Sequence, residues 1–280
     1  MRITAVLIIT FFLAPLALIS QNTSIGNFNR DETVFYAQTK QVNQFFRRFN
    51  AEEDITGKRL YQGDPGYRDV KARKKFLSIL FDNQNQGVSS QDRMAFIDNV
   101  TSQRNPVYLD FHGKGIFAEV STEFIYKKEK TPVVLYLRLE HQNLGYKWVI
   151  SNVYCSKFDQ IFPHLKDTTN LSLIIHPMSH ELDFMNIHKI FRDPGNLDYY
   201  AEENYQPDHL TLFIAECKNG NLKFEVVNNV KFHFFQIPGW YFEVNYFNRN
   251  ENNSGWLISN LLKINENDKK ELIRNYTHEQ

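Results

Sequence analysis

Trp148-Val149-Ile150-Ser151-Asn152 and Trp256-Leu257-Ile258-Ser259-Asn260 share four of five residues and stand 108 positions apart. Each closes a run of chain in which apolar residues recur with period two, the period of a half-buried strand. Upstream of the first copy, Gly115 to Tyr126 reads as a strand and Lys127 to Thr131 as a polar turn. Val133, Leu135, Leu137 and Leu139 then alternate with Val134, Tyr136, Arg138 and Glu140. Pro132 opens that strand, a place where proline is tolerated. His141 to Lys147 turns the chain into Trp148 to Tyr154. The second copy repeats the order. Leu222 to Phe235 is a strand, Pro238-Gly239 a turn, and Trp240, Phe242, Val244 and Tyr246 alternate with Tyr241, Glu243, Asn245 and Phe247. Arg249 to Gly255 leads into Trp256 to Leu262.

Helices precede both meanders. Val34, Ala37, Gln38, Gln41, Phe45 and Phe49 fall near one face of a first helix. Gly57, Gly63 and Pro65-Gly66 break the chain, and a second helix is predicted from about Tyr67 to Asp82. Its basic side, Lys71, Arg73, Lys74 and Lys75, reads as a solvated face. A third runs from about Asp92 to Val100, with Ser89 or Ser90 as its cap. In the second half, His180 to Arg192 reads as helical and stops at Asp193-Pro194-Gly195. Asp208 can cap a helix that Asn219-Gly220 closes. Phe117-Ala118-Glu119-Val120 finds a partner in Phe224-Glu225-Val226-Val227 at nearly the same offset. A repeated unit repeats its pattern, so the chain reads as a duplication. Its units span 28–158 and 170–266, with a charged tail at 267–280. The boundary is expected in the polar stretch Ser156 to Asn170.

The expected class is therefore α+β, two units each with helices packed on an antiparallel meander. This order of elements, with Trp near the start of the last strand, resembles the NTF2-like (cystatin-like) superfamily. The overall style is similar to secreted Bacteroidetes-type proteins of unknown function. The resemblance covers nearly all the chain after its leader. It implies, in each unit, a curved sheet wrapped round helices into a cone with a pocket. The superfamily holds isomerases and dehydratases beside non-catalytic binding modules. No catalytic motif of the family is matched, so no catalytic residue is carried over.

Met1 and Arg2 lead into an apolar run from Ala5 to Ile19, and Ala17-Leu18-Ile19-Ser20 offers small residues at the cleavage positions. Residues 1–20 thus read as a signal peptide with Gln21 as the new terminus. The product is expected in the periplasm or outside the cell, with no transmembrane segment after cleavage. The 32 basic and 32 acidic residues cancel, which gives no long-range attraction to nucleic acid. Two cysteines, Cys155 and Cys217, make no disulfide framework, and their apolar neighbours suggest buried free thiols.

Candidate site residues are few. Trp148 and Trp256 offer area and an N–H donor to a pocket wall, or pack the sheet on its helices. Asp110 and His112 are expected on one face near a strand start, where a carboxylate could orient an imidazole for general base chemistry. His233 and Glu243 fall side by side across the second hairpin. His176, His180, Asp183 and His188 cluster in sequence, but they lack secured ligand spacing, so no metal is expected. No phosphate-binding glycine loop is present, and no cofactor is expected. Tyr199, Tyr200 and Tyr205 suggest an interface. The leading expectation is an exported, non-catalytic module that binds a small molecule or a protein. The alternatives are a small-molecule lyase or isomerase using one cone, and an envelope assembly component.

Overall fold

The computed structural model describes residues 42–85, 87–143, 145–159, 191, 200, 208–249 and 253–277. The expected leader, the histidine cluster at 176–188, Tyr199, Tyr205 and the expected boundary beyond residue 159 lie outside them. The described residues form an α+β fold. Helix α1 covers 42–50, α2 Val70–Ile79 and α3 Ser90–Val100. Strands β1 (Ile116–Tyr126), β2 (Glu129–Gln142) and β3 (Gly145–Tyr154) follow, then α4 (Ser156–Asp159) and α5 (His209–Lys218). Strands β4 (Leu222–Phe234), β5 (Trp240–Phe247) and β6 (Gly255–Lys263) precede α6 (Glu266–Arg274). Local chemistry sets the helix starts. Asp69, Ser89, Asp208 and Asn265 each cap a helix by accepting a backbone N–H in its first turn, which satisfies donors that have no partner inside the helix.

The six strands form one antiparallel sheet in the order β3-β2-β1-β4-β5-β6. Where the repeat predicts a core for each unit, β1 and β4 pair along their whole length and join the two meanders. One row of side chains crosses all six strands: Ile150, Leu137, Ala118, Phe232, Val244 and Ile258. An approximate twofold axis passes between Ala118 and Phe232 at its centre. Ala118 therefore corresponds to Phe232, not to Glu225 as the upstream sequence match implies. The first hairpin is longer, with 19 positions from Ala118 to its partner Leu137 against 12 from Phe232 to Val244, and that difference of seven displaces the alignment.

The pentapeptide repeat has a physical basis in this sheet. Trp148 and Ile150 pair with Leu139 and Leu137, Ser151 is left over, and Asn152 pairs with Tyr136. Trp256 and Ile258 pair with Tyr246 and Val244, Ser259 is left over, and Asn260 pairs with Glu243. Both serines are β-bulge residues. A bulge flips the facing of the residues beyond it, so Trp and Ile share the helix-covered face while Asn turns to the other. In both copies the serine hydroxyl reaches the carbonyl across the bulge, Tyr136 at 3.2 Å and Glu243 at 3.4 Å.

The helices cross between the halves. Phe45, Phe46 and Phe49 of α1, Leu77 of α2 and Phe96 of α3 pack on Phe232, Phe234, Phe242, Trp256 and Ile258 of the second meander. Phe213 of α5 packs with Phe124, Tyr126, Val133 and Val153 of the first. The alternation along β1 puts Ile116 and Ala118 of the first cluster and Phe124 and Tyr126 of the second on the same face. Residues 80–82 seal the outer edge of β6: the Ile258 N–H donates to Leu80 O at 2.7 Å and the Asp82 N–H to Ile258 O at 2.9 Å. Arg249, past the end of β5, pairs with Asp82 at 2.7 Å. Helix α6 covers the opposite face, with Leu272 and Ile273 near Phe117, Phe235 and Tyr241.

Arg73 departs from the solvated face expected of it. It is 1% exposed, on the side of α2 that carries Phe76, Leu77 and Leu80. Its Nε and Nη1 donate to Phe49 O at 2.8 Å and Val100 O at 2.7 Å, and Nη2 donates to Val107 O. Burial pulls its pKa down to about 10. Three loop and helix-end carbonyls thus find partners in one side chain. Cys155 and Cys217 are free and belong to the α5 cluster; burial pushes both thiols up.

Candidate functional site

The crossing of α1 onto β5 and β6 leaves a cleft of about 260 Å³ at the end of the helix-covered face. Gln44, Phe45 and Arg48 of α1 form one wall, Tyr246 and Trp256 the other, and Asn248 and Ser254 stand at the turn between β5 and β6. The helix supplies its wall because Phe45 sits on the buried stripe of α1 while Gln44 and Arg48, one turn apart, flank it. The sheet supplies the other because Tyr246 and Trp256 face each other across β5 and β6 with ring centroids 5.5 Å apart. Trp256 also meets Phe232 edge-on at 5.2 Å.

The indole Nε1 of Trp256 is buried and has no acceptor among the described residues. Leaving a buried donor unpaired costs about 1–3 kcal/mol. Arg48 is held through Nε to Glu53 at 2.8 Å. Glu53, itself 1% exposed, also takes Arg47 Nε at 3.1 Å and Gln44 Nε2 at 3.2 Å.

The opposite face carries a closed polar network beneath α6. His233 Nε2 lies 3.0 Å from Glu119 Oε2, and its Nδ1 lies 2.9 Å from the Tyr241 hydroxyl and 3.2 Å from that of Tyr276. Tyr241 donates to Glu243 Oε1 at 2.6 Å, which also accepts from Asn260 Nδ2 at 3.3 Å. Lys231 pairs with Glu119 at 3.1 Å. His233 and Glu243 are cross-strand partners as the sequence predicts, but Tyr241 bridges them. Burial works to raise the pKa of Glu119, yet the hydrogen bonds from His233 and Lys231 outweigh it and hold the carboxyl below its ordinary range. Burial and the Glu243 carboxylate push Tyr241 far up. Burial, helped by Glu119, pushes Tyr136 up to about 12. His233 is 1% exposed and both its nitrogens are engaged. The network therefore joins α6 to the sheet and offers no open base to a substrate.

The remaining candidates separate. Asp110 and His112 lie in a turn before β1, both exposed. The Asp110 carboxylate accepts the backbone N–H of His112 at 3.0 Å, while the ring of His112 lies against that of Tyr146, tilted by 35° with centroids 4.4 Å apart. The carboxylate orients the loop and leaves the imidazole to Tyr146. Trp148 is half-buried against Phe111 and Phe232, at 6.2 Å and 6.0 Å. It shares the face of Trp256 but not its cleft. No group of three metal-ligating side chains occurs among the described residues, and no helix among them is long and apolar enough to cross a membrane. Sequence reasoning found Trp256 but missed Gln44 and Arg48. Their spacing on either side of Phe45 was the available signal; what it could not give was the strand that α1 lies against.

Compared with protein-family models, with curated proteins and with solved structures, the chain matches none.

Proposed function

We propose that this protein is an exported, non-catalytic module that binds a small molecule in the cleft between α1 and the β5–β6 edge. The observation that carries the reading is a formed cleft walled by the rings of Phe45, Tyr246 and Trp256, with Arg48 as the one charged side chain among its described lining residues. Binding sites combine an apolar lining with a few placed polar groups, and this cleft sets aromatic rings beside Gln44 and Arg48. The apolar run from Ala5 to Ile19 and the small residues before Gln21 support export, with residues 1–20 removed. We further propose that the two meanders descend from one duplicated unit of the NTF2-like kind, fused through β1 and β4. The repeated Trp-x-Ile-Ser-Asn bulge and the twofold arrangement of strands support this.

The test is a thermal-shift screen of the mature protein against small ring compounds bearing an acceptor. Binders should raise the midpoint of the wild type. Ser254→Trp, which places a bulky ring at the exposed mouth of the cleft, should abolish those shifts without lowering the ligand-free midpoint. Binders whose shifts survive Ser254→Trp would place the site elsewhere.

A further inference from the structure

We infer that the occupant of this cleft is a small organic anion, a carboxylate carried on a single ring or a branched apolar body. This rests on the cleft being a binding site and derives from the charge and donor balance of its walls. Among the described lining residues Arg48 is the one charged side chain, and none is acidic. Arg48 is not neutralised by its own partner. One carboxylate, Glu53, takes Nε of both Arg47 and Arg48, at 3.1 Å and 2.8 Å, so the three groups keep a net positive charge. Because Arg48 is tethered through Nε, its two terminal amino groups are left as a fork, the arrangement that grips a carboxylate side by side. An ionised carboxylate only accepts, so it matches that fork of donors.

Size and lining narrow the body of the guest. Phe45, Tyr246 and Trp256 present aromatic surface. An apolar cavity of about 150 Å³ takes one benzene ring, so a cleft of about 260 Å³ has room for a ring and a short acid arm. A cation meets Arg48 as a like charge. A phosphate monoester, with close to two charges at neutral pH, would find a single cation where such groups gather several.

Three compounds of one shape decide the matter: 3-phenylpropanoate, its neutral amide and 3-phenylpropylamine. Each is titrated at pH 7 and low salt into the ¹⁵N-labelled mature protein. The readout is the indole N–H signal of Trp256, assigned by its loss in Trp256→Phe. The acid should move that signal with an affinity at least about tenfold above the amide, the scale of one charge-assisted hydrogen bond. The amine should leave it in place. Arg48→Gln should bring the acid down to the level of the amide, and Arg48→Lys should recover part of the difference. Added salt should weaken the acid and spare the amide, an arm that needs no variant. Equal affinity for acid and amide would overturn the anion and leave the cleft standing as a site. No movement with any of the three would overturn the cleft as a ring-sized site, and the inference with it.

Discussion

Arg73 shows how much one side chain can hold in place. Its guanidinium ties the end of α1, the end of α3 and the loop before β1 through three backbone carbonyls. Arg73→Met fills similar volume but leaves those carbonyls unpaired, at about 1–3 kcal/mol each. We expect it to lower unfolding free energy by at least about 3 kcal/mol in urea titrations, whereas Lys74→Met on the exposed side should change little. The burial of Arg73 was legible in principle, since it stands three and four residues before Phe76 and Leu77 on the apolar stripe. The surrounding lysines disguised it. The two tryptophans of the repeat make a second pair of predictions at this scale. Trp256 is 7% exposed inside the main cluster, and Trp256→Ala should cost about 3–5 kcal/mol. Trp148 packs against that cluster only in part, and Trp148→Ala should cost about half as much by the same measurement.

At the scale of elements, the period-two runs are what the sequence displays best. The six strands lie close to where alternation puts them, because a slip by one residue would turn the buried side chains outward; β2 differs in starting at Glu129, so Pro132 lies inside it and the turn shrinks to Lys127 and Lys128. The role of the repeated serines was hidden, since a bulge is a relation between two strands. Its consequence is the attachment of α6. Ser151 Oγ donates to Tyr276 O at 2.6 Å and Asn152 Nδ2 to Asn275 O at 3.1 Å, so the bulge turns polar atoms toward the segment just past α6. The network below it predicts a pH dependence. The Glu119 carboxyl is lowered in the folded state, so the folded protein binds its proton less readily than the unfolded chain. The stability Glu119 contributes is therefore complete above its unfolded pKa of about 4.3 and is lost as pH falls through the folded value. Glu119→Gln removes that titration. Urea midpoints measured from pH 7 down to pH 3 should fall less steeply in the variant than in the wild type, with the difference opening below about pH 4.3.

For the whole molecule, the crossing of helices is the feature that shapes the cleft. A duplicated pattern invites a reading in which each unit covers its own sheet, and nothing local in the sequence says otherwise. Which meander a helix packs on is decided by pairs far apart in the chain, such as Phe45 with Phe234 at 6.0 Å and Phe124 with Phe213 at 5.5 Å. The cleft exists because of that crossing: Gln44, Phe45 and Arg48 come from before the first meander, Tyr246 and Trp256 from the second. The main hydrophobic cluster and the cleft thus draw on residues from both ends of the chain. Native-state hydrogen exchange on Phe213→Ala tests this most directly. Phe213 belongs to the second half by sequence, and its loss should cost about 3–5 kcal/mol. The account predicts that the backbone amides of β1–β3, in the first half, lose protection along with those of β4–β6, as parts of one cooperative body. Protection kept in β1–β3 while β4–β6 alone opens would contradict it.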